Sequence, residues 1–386
     1  MTESGSGSAD RTLSLSTDTT TGLAGGTLTR QIAVTVIAIL LGLLVGAVLI
    51  VLSGVIGPAQ TFDITLPITA YAAVLEGALG GPKAIANTLN SATPLIFAGL
   101  SVAFGFRAGL FNIGANGQFL VGAFCAAIVG TSLTLPFPLA LTLALLAGSL
   151  GGALWGFIPG ALKAWRGAHE VVTTIMLNSV AFLLLNLLAS SMFKDPTATF
   201  PRTSDIAPGA VLPIILDNTR LHGGIILAVL SAVMVWFVLF KTTLGFEIRT
   251  VGANASAARY AGIRPALITI LTMSIAGGLA GVGGAVEILG ITKNYPAEYI
   301  VNYGYDGIAV ALLGRSHPIG VVGAALLFGV MRAGAGSMQR ATEIPVDIIS
   351  IVQGVILLFV AAQVIIQRLL PAARSRRRRE PAAAAA

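Results

Sequence analysis

Long apolar stretches recur along this chain of 386 residues, and they limit its fold more than any single motif does. Hydrophobic residues make up 55% of the sequence and charged residues only 10%, whereas about a quarter of a soluble domain is charged. The first stretch, residues 32–52, is long enough to cross roughly 30 Å of hydrocarbon as a helix. We therefore predict an all-α polytopic membrane protein with about ten transmembrane helices. The predicted spans are residues 32–52, 88–106, 113–131, 139–162, 172–192, 223–240, 266–289, 305–313, 319–331 and 348–366.

Both ends of the chain differ from the predicted membrane domain, residues 29–368. Residues 1–28 are rich in Ser, Thr and Gly without hydrophobic periodicity, which predicts a disordered cytoplasmic tail. The apolar run behind them begins too late and is too long for a signal peptide. Residues 369–386 form a basic tail, which we also expect in the cytoplasm.

Lysine and arginine residues indicate how the spans are oriented. The net charge of +7 is concentrated at span ends and in the basic tail, so anionic lipid is a better partner than nucleic acid. With ten crossings, most basic residues fall on one side, which the positive-inside rule assigns to the cytoplasm. Residues 193–221 then form an external loop. The basic residues on the assigned side are Arg30, Arg107, Lys163, Arg166, Lys241, Arg249, Arg259, Arg264, Arg315 and the run at 374–379; Lys83, Lys293, Arg332 and Arg340 depart from the rule.

A polar and basic interruption, within the cytoplasmic loop 241–265, separates two of the apolar runs. Its sequence is LGFEIRTVGANASAARYAGI, residues 244–263. Asn254 is suited to cap a short helix at its N-terminus, Gly262 to stop it, and Pro265 to open the next span. A membrane protein rarely needs such a projection for its own stability, so the loop indicates a subunit driven by a partner that docks from the cytoplasm.

Two predicted spans contain glycine-rich breaks in comparable places of the two halves. Gly109, Gly114 and Gly117 interrupt the first half, and Gly304 and Gly307 interrupt the second. Such breaks suggest an internal inverted repeat whose half-helices line a path near the middle of the membrane. Irregular backbone at that depth must be buried in protein or face water.

Catalytic and cofactor motifs are missing from the sequence. No Gly-Lys dipeptide occurs, so a phosphate-binding GxxxxGK[ST] loop is absent and any ATP must be hydrolysed by another chain. His169 and Glu170 do not complete an HExxH zinc motif, because Thr173 stands where the second histidine is needed. The lone cysteine, Cys125, excludes an intrachain disulfide. We predict neither an enzyme nor a resident metal or cofactor. A glycine pattern inside one predicted span is explained by close helix packing rather than by dinucleotide binding: Gly278, Gly281 and Gly283.

Two acidic residues leave open a transporter that runs on an ion gradient. Carboxylates inside spans are expensive and usually functional, and Glu287 and Asp306 are the best candidates. Both lie near predicted span ends, where an interfacial or capping role is the simpler interpretation.

Four motifs recur in one known family of membrane proteins. They are FRAGLFNIGANGQFLVGA at 106–123, GAHEVVTTIMLN at 167–178, the loop sequence at 244–263, and GYDGIAVALLGRSHPIG at 304–320. These motifs resemble the permease subunits of bacterial ABC importers, in the family shared by ribose, other simple sugars, nucleosides and branched-chain amino acids, and the nucleoside-type members are the most similar. The resemblance covers about residues 88–367, except residues 196–221.

The resemblance implies a bacterial inner-membrane complex with both termini of this chain in the cytoplasm. Its other parts would be a second permease, identical or different, cytoplasmic ATPases that use ATP and Mg²⁺, and an extracytoplasmic solute-binding lipoprotein. The short helix of the loop would sit in a cleft of the ATPase. For Arg249, Arg259 and Tyr260, positive-inside retention and interfacial packing remain the alternative. The coupling residues expected from the resemblance are Arg249, Asn254, Ala257, Arg259, Tyr260 and Gly262.

We expect the translocation path at the glycine breaks. A nucleoside has hydroxyl groups and a base, so amide side chains can form hydrogen bonds with it and aromatic side chains can stack on the base. Taken singly, each candidate is better explained by a helix–helix hydrogen bond or a backbone cap than by contact with solute, and it is their clustering at the glycine breaks that favours the set. The predicted function is a nucleoside importer permease. The alternatives are a sugar or branched-chain amino acid permease and, from another class, an ion-coupled transporter. The path candidates are Asn112, Asn116, Gln118, Asn178, Tyr303, Tyr305 and Asp306.

Overall fold

The computed structural model describes residues 20–56 and 62–362, with side chains from residue 35 onward. In these ranges the chain is helical, and its only β-type pairing is two isolated bridges. A π-helical turn, Ile288–Thr292, extends α10. The helices are α1 Thr20–Ile56, α2 Leu66–Leu79, α3 Pro82–Arg107, α4 Ala115–Ser132, α5 Leu139–Arg166, α6 Glu170–Ser190, α7 Gly224–Lys241, α8 Thr243–Ala253, α9 Ala255–Tyr260, α10 Pro265–Glu287, α11 Tyr303–Leu313, α12 Pro318–Thr342 and α13 Asp347–Ala362.

The polytopic all-α prediction is confirmed, and the count of ten spans is approximate. Eight described helices are long and apolar enough to cross a membrane, and two shorter apolar helices, α2 and α13, accompany them. Each predicted span overlaps a described helix, and residues 363–366 of the last span lie outside the described ranges. Helix α2 is not among the predicted spans, because its 14 residues fall short of a full crossing. Helix α1 begins at Thr20, so residues 20–28 of the expected tail are helical. Residues 1–19 and the tail 369–386 lie outside the described residues.

Helix directions place the basic loops at one end of the bundle. Helices α5 and α10 are antiparallel, since Gly160 meets Met273 while Gly148 meets Ala285. The end of α5 therefore lies beside the start of α10, and α8 lies against the end of α3. We call this the basic end. It carries Arg107, Lys163, Arg166, Lys241, Arg249, Arg259, Arg264 and Arg315.

A loop at the opposite end is tied to the chain that follows α10. The backbone N–H of Thr203 donates to the carbonyl of Tyr295 at 2.9 Å, and that of Ile206 donates to Lys293 at 2.9 Å. The N–H of Ala297 donates to Pro201 at 2.9 Å. The predicted external loop 193–221 is thus a folded element that holds residues 293–297 in place.

Glycine residues bring α4, α5 and α10 into backbone contact at the centre of the bundle. A Cβ atom on Gly122 would lie 2.2 Å from Cα of Gly281. One on Gly281 would lie 2.3 Å from the carbonyl oxygen of Gly148, and one on Gly152 would lie 2.3 Å from that of Gly277. Without a hydrophobic force between helices in lipid, such close packing is what holds them together. This confirms the packing interpretation of Gly281.

We expect Gly281→Val to lower the midpoint of thermal unfolding in detergent, since the new side chain has no room between α4 and α5. Overpacking of this kind costs about 1–3 kcal/mol. Gly323→Val on α12 is the matched control, because no atom lies within 4 Å of a Cβ built there. Equal midpoints for the two variants would contradict the central role of this contact.

Candidate functional site

Two stretches of irregular chain interrupt the bundle and run in opposite directions. At the basic end, α3 ends at Arg107. The chain turns at Gly109, which has φ of +70°, and continues back into the bundle to the start of α4. From the opposite end, residues 293–302 descend to α11. Helix α11 has 11 residues, a rise of about 16 Å or half of the hydrocarbon thickness. This agrees with the expected inverted arrangement of broken helices.

The N-termini of α4 and α11 meet where the two stretches end. A Cβ atom on Gly304 would lie 2.1 Å from the backbone nitrogen of Asn116, and one on Gly307 would lie 2.7 Å from the carbonyl carbon of Ala98. The N–H of Gly304 donates to Oδ1 of Asn116 at 3.2 Å. The glycine breaks of the two halves therefore lie together.

Asn178 of α6 joins both broken helices through its side-chain amide. Its Oδ1 accepts from the N–H of Gly117 at 2.8 Å. Its Nδ2 donates to the carbonyl of Ile113 at 3.0 Å and to the hydroxyl of Tyr305 at 3.2 Å. Asn178 is buried. One amide thus satisfies a backbone donor and a backbone acceptor that the broken helix leaves without helical partners.

A cavity of about 450 Å³ opens at this junction. Three of the predicted path residues line it, namely Asn116, Asn178 and Tyr305. Tyr305 is the most accessible of the three, with 42% of its surface exposed. All lining side chains are uncharged. The complete lining is Asn116, Leu120, Asn178, Ser179, Phe182, Leu183, Tyr299, Ile300, Val301, Asn302 and Tyr305.

Asn112 and Gln118 lie away from the cavity in a closed pair. Nδ2 of Asn112 donates to Oε1 of Gln118 at 2.8 Å, and Nε2 of Gln118 donates back to Oδ1 of Asn112 at 3.1 Å. Nδ2 of Asn112 also lies 3.2 Å from the hydroxyl of Ser101. Both amides are almost wholly buried. Their contacts shape the turn before α4, which is the structural alternative left open by the sequence.

Tyr303 and Asp306 face a charged cluster on the other side of α11. Asp306 forms an ion pair with Arg332 of α12 at 2.5 Å. The Arg332 guanidinium also lies over the Tyr303 ring, 5.1 Å from its centroid. The Tyr303 hydroxyl lies 3.5 Å from Oε1 of Glu287. Glu287 and Asp306, the two acidic candidates for ion coupling, therefore belong to one network. In this network Asp306 has a cationic partner.

The polar interruption contains two helices rather than the single one predicted, because α8 precedes the capped helix α9. Oδ1 of Asn254 accepts from the N–H groups of Ser256 at 2.9 Å and Ala257 at 3.0 Å, as an N-cap does. Gly262 is left-handed, with φ of +82°, as expected of a helix stop. Tyr260 is 95% exposed. Helix α9 is therefore a projection from the basic end.

A phenylalanine connects α8 to the rest of the basic end. The guanidinium groups of Arg107 and Arg249 each lie 5.3 Å from the centroid of the Phe240 ring, and His317 stacks on it at 5.4 Å. Nε of Arg107 donates to the carbonyl of Ser316 at 2.8 Å. Burial and the charge of Arg107 hold the pKa of His317 below its ordinary value. Arg249 thus packs inside the loop, whereas Arg259 is exposed.

Comparison with known proteins assigns a family to this arrangement. Residues 84–361 match the family described as the permease component of branched-chain amino acid transport systems. The chain belongs to this permease family. The permease is therefore a transport component rather than an enzyme, and a multi-pass membrane protein. No solved structure matches it.

Relatives cover most of the permease. The guanosine ABC transporter permease protein NupP of Bacillus subtilis is 41% identical over 337 residues, 86% of this chain and 93% of that protein. The nucleoside ABC transporter permease protein NupB of Lactococcus lactis is 38% identical over 349 residues, 88% and 93% of the two chains. A glucose ABC transporter permease protein of Haloferax volcanii is 34% identical over 303 residues, 76% and 80%.

Several residues of the permease site were not predicted from the sequence. Arg332 directly follows the predicted span 319–331 and so reads as a residue at a span end, whereas helix α12 continues to Thr342 and places it within the bundle. Phe240 carried no signal, because an aromatic residue at a span end is ordinary. Tyr299 and Asn302, which line the cavity, precede the recognised motif by a few residues.

Arg332→Gln should destabilise the permease, because it leaves the Asp306 carboxylate among the helices without its cation. We expect a loss of about 1–3 kcal/mol, seen as a lower unfolding midpoint in detergent. The double variant Asp306→Asn/Arg332→Gln should recover most of this loss, and Arg340→Gln on the same helix serves as control. A double variant no more stable than Arg332→Gln alone would show that charge pairing is not the cause.

Proposed function

We propose that this permease imports nucleosides into the bacterial cytoplasm as a subunit of an ATP-binding-cassette importer. The observation that carries the proposal is identity of 41% and 38% to guanosine and nucleoside permeases over most of the chain. Identity to the glucose permease is lower, 34% over a shorter region.

The chemistry of the cavity supports an uncharged solute. Its volume of about 450 Å³ is within the range of small-molecule sites. The amides of Asn116 and Asn178 and the hydroxyl of Tyr305 offer donors and acceptors to sugar hydroxyls and base edges. The Tyr299 and Phe182 rings offer surfaces against which a base can stack. No ionised group of the described chain lines the cavity, so a zwitterionic amino acid would find no counter-charge there.

Solute would enter from a binding lipoprotein at the opposite end and leave at the basic end, along a path between two permeases. Closure of a partner ATPase, which binds ATP and Mg²⁺, would alternate access to that path. Helix α9 is the proposed docking element, since it projects from the basic end and exposes Arg259 and Tyr260. The basic end, with both termini, faces the cytoplasm in this proposal.

A sugar importer is the second candidate, because the same neutral cavity suits hydroxyl groups and one relative is a glucose permease. A proton-coupled mechanism is less well supported. Asp306 is held by Arg332, so its carboxylate would have to leave an ion pair at every cycle.

Uptake of labelled solutes by cells lacking the chain, compared with complemented cells, tests the substrate. We expect complementation to restore guanosine, adenosine or uridine uptake but not that of ribose, glucose or leucine. Uptake should survive collapse of the proton gradient, because ATP drives it. Restored glucose or ribose uptake would transfer the function to the sugar branch. Loss of uptake on collapse of the gradient, at unchanged ATP, would overturn the energy source.

Arg259→Glu tests docking by α9. We expect the ATPase to co-purify poorly with this variant and uptake to fall about tenfold, since one reversed contact costs about 1–2 kcal/mol. Arg264→Glu is the matched control, an exposed reversal in the same loop outside the helix. Normal assembly and uptake by Arg259→Glu would refute docking at this position.

A further inference from the structure

We propose that Gly252, in the last turn of α8, is the positioning residue through which movement of the docked loop reaches the cavity. The contact it makes is with the turn Ala108–Gly109, which begins the irregular stretch leading to Asn116. This inference rests on the proposed function, because it takes α9 as the ATPase-docking element.

The two backbones touch at Gly252. A Cβ atom on Gly252 would lie 2.3 Å from the carbonyl oxygen of Arg107 and 2.8 Å from the carbonyl carbon of Ala108. In the other direction, a Cβ on Gly109 would lie 3.3 Å from the carbonyl oxygen of Gly252. Main chain against main chain has no side-chain rotamers to absorb a displacement, so a push on α8 moves the turn.

Helix α9 is joined to α8 through Asn254, the residue between the two helices. The N–H of Asn254 donates to Thr250 of α8 at 3.0 Å, while the Asn254 side chain caps α9. The N–H of Ile263 donates back to Ala258 at 3.0 Å, which closes the far end of α9. A force applied to α9 is therefore carried into α8.

The Phe240 cluster makes a second connection from α8 to the same turn. Arg249 of α8 and Arg107 of α3 share the Phe240 ring, and Arg107 donates to Ser316 in the turn after α11. The basic ends of both broken segments are thus attached to α8. Gly109, in the turn after α3, has φ of +70°. Glycine adopts both positive and negative φ without steric cost, so the backbone can change its direction at this residue.

A displacement of the turn Ala108–Gly109 is transmitted along the chain to the residues that line the cavity. Residues 110–114 connect Gly109 to Asn116 and Gly117, which bind Gly304 and Asn178. Asn178 in turn donates to Tyr305. Movement of the turn therefore changes the same hydrogen bonds that form the polar wall of the cavity.

The test uses the complete importer, reconstituted in liposomes with its ATPase and binding protein. Gly252→Ala adds one methyl group, and Gly323→Ala on α12 is the control with open space around it. Alanine favours a helix more than glycine does, so any defect of Gly252→Ala comes from the contact and not from loss of α8. Phe240→Leu removes the shared ring and tests the second connection without adding volume.

Two quantities are measured, guanosine moved per ATP hydrolysed and the spectrum of a spin label at the cavity. Transport is measured with the unlabelled permease, and only the spectrum uses a label, which is placed by Asn302→Cys in a Cys125→Ala background. We expect Gly252→Ala to bind the ATPase normally but to move about tenfold less guanosine per ATP, a coupling loss of ordinary size. The label should lose its ATP-dependent change in Gly252→Ala, lose part of it in Phe240→Leu, and keep it in Gly323→Ala.

An unchanged transport ratio and label response in Gly252→Ala would overturn the inference. Loss of ATPase binding by this variant would also overturn it, since Gly252 would then be part of the docking surface. If Gly252→Ala does not fold, Gly109→Ala tests the same contact from the other backbone, and a normal label response there decides against the linkage. Failure of the unaltered permease to move guanosine or bind an ATPase would instead reject the proposed function.

Discussion

The structure depends on satisfying backbone polar groups at mid-membrane depth, where water is scarce and each unpaired group is costly. Two helices begin inside the bundle instead of at its surface, and their first turns expose N–H groups. Asn178 and Asn116 supply acceptors to Gly117 and Gly304, respectively. The cavity is therefore polar for a structural reason before any solute is considered.

Glycine packing makes this arrangement possible. Gly281 lets α10 pack against α4 and α5 at the centre of the bundle, while Gly304 and Gly307 let α11 approach α4 and α3. The charged side chains near α11 form one network. In it Arg332 pairs with Asp306, and its guanidinium lies over the ring of Tyr303. The protein thus keeps its ionised groups on one side of α11 and its neutral cavity on the other.

Local features of the fold could be predicted from the sequence, and features that depend on packing could not. The apolar runs predict the long helices, and Asn254 and Gly262 mark α9, because capping is decided by neighbouring residues. Helix α2 was not predicted, since its length suits neither a span nor a loop. Tertiary packing pairs Asn112 with Gln118 and places Asn178 in the cavity lining, and nothing in their local sequences distinguishes the two residues. The cytoplasmic assignment of the basic end and the coupling roles stay predictions.

The double duty of Asn178 limits how the permease can diversify. A residue that both lines the cavity and pairs three groups of the broken helices cannot change without cost to the fold. Phe182, Leu183 and Ile300 line the same space with apolar side chains that make no hydrogen bonds. Under the proposed function, descendants of this protein can thus alter their solute range by mutation at these apolar positions, while the amides of the cavity stay unchanged.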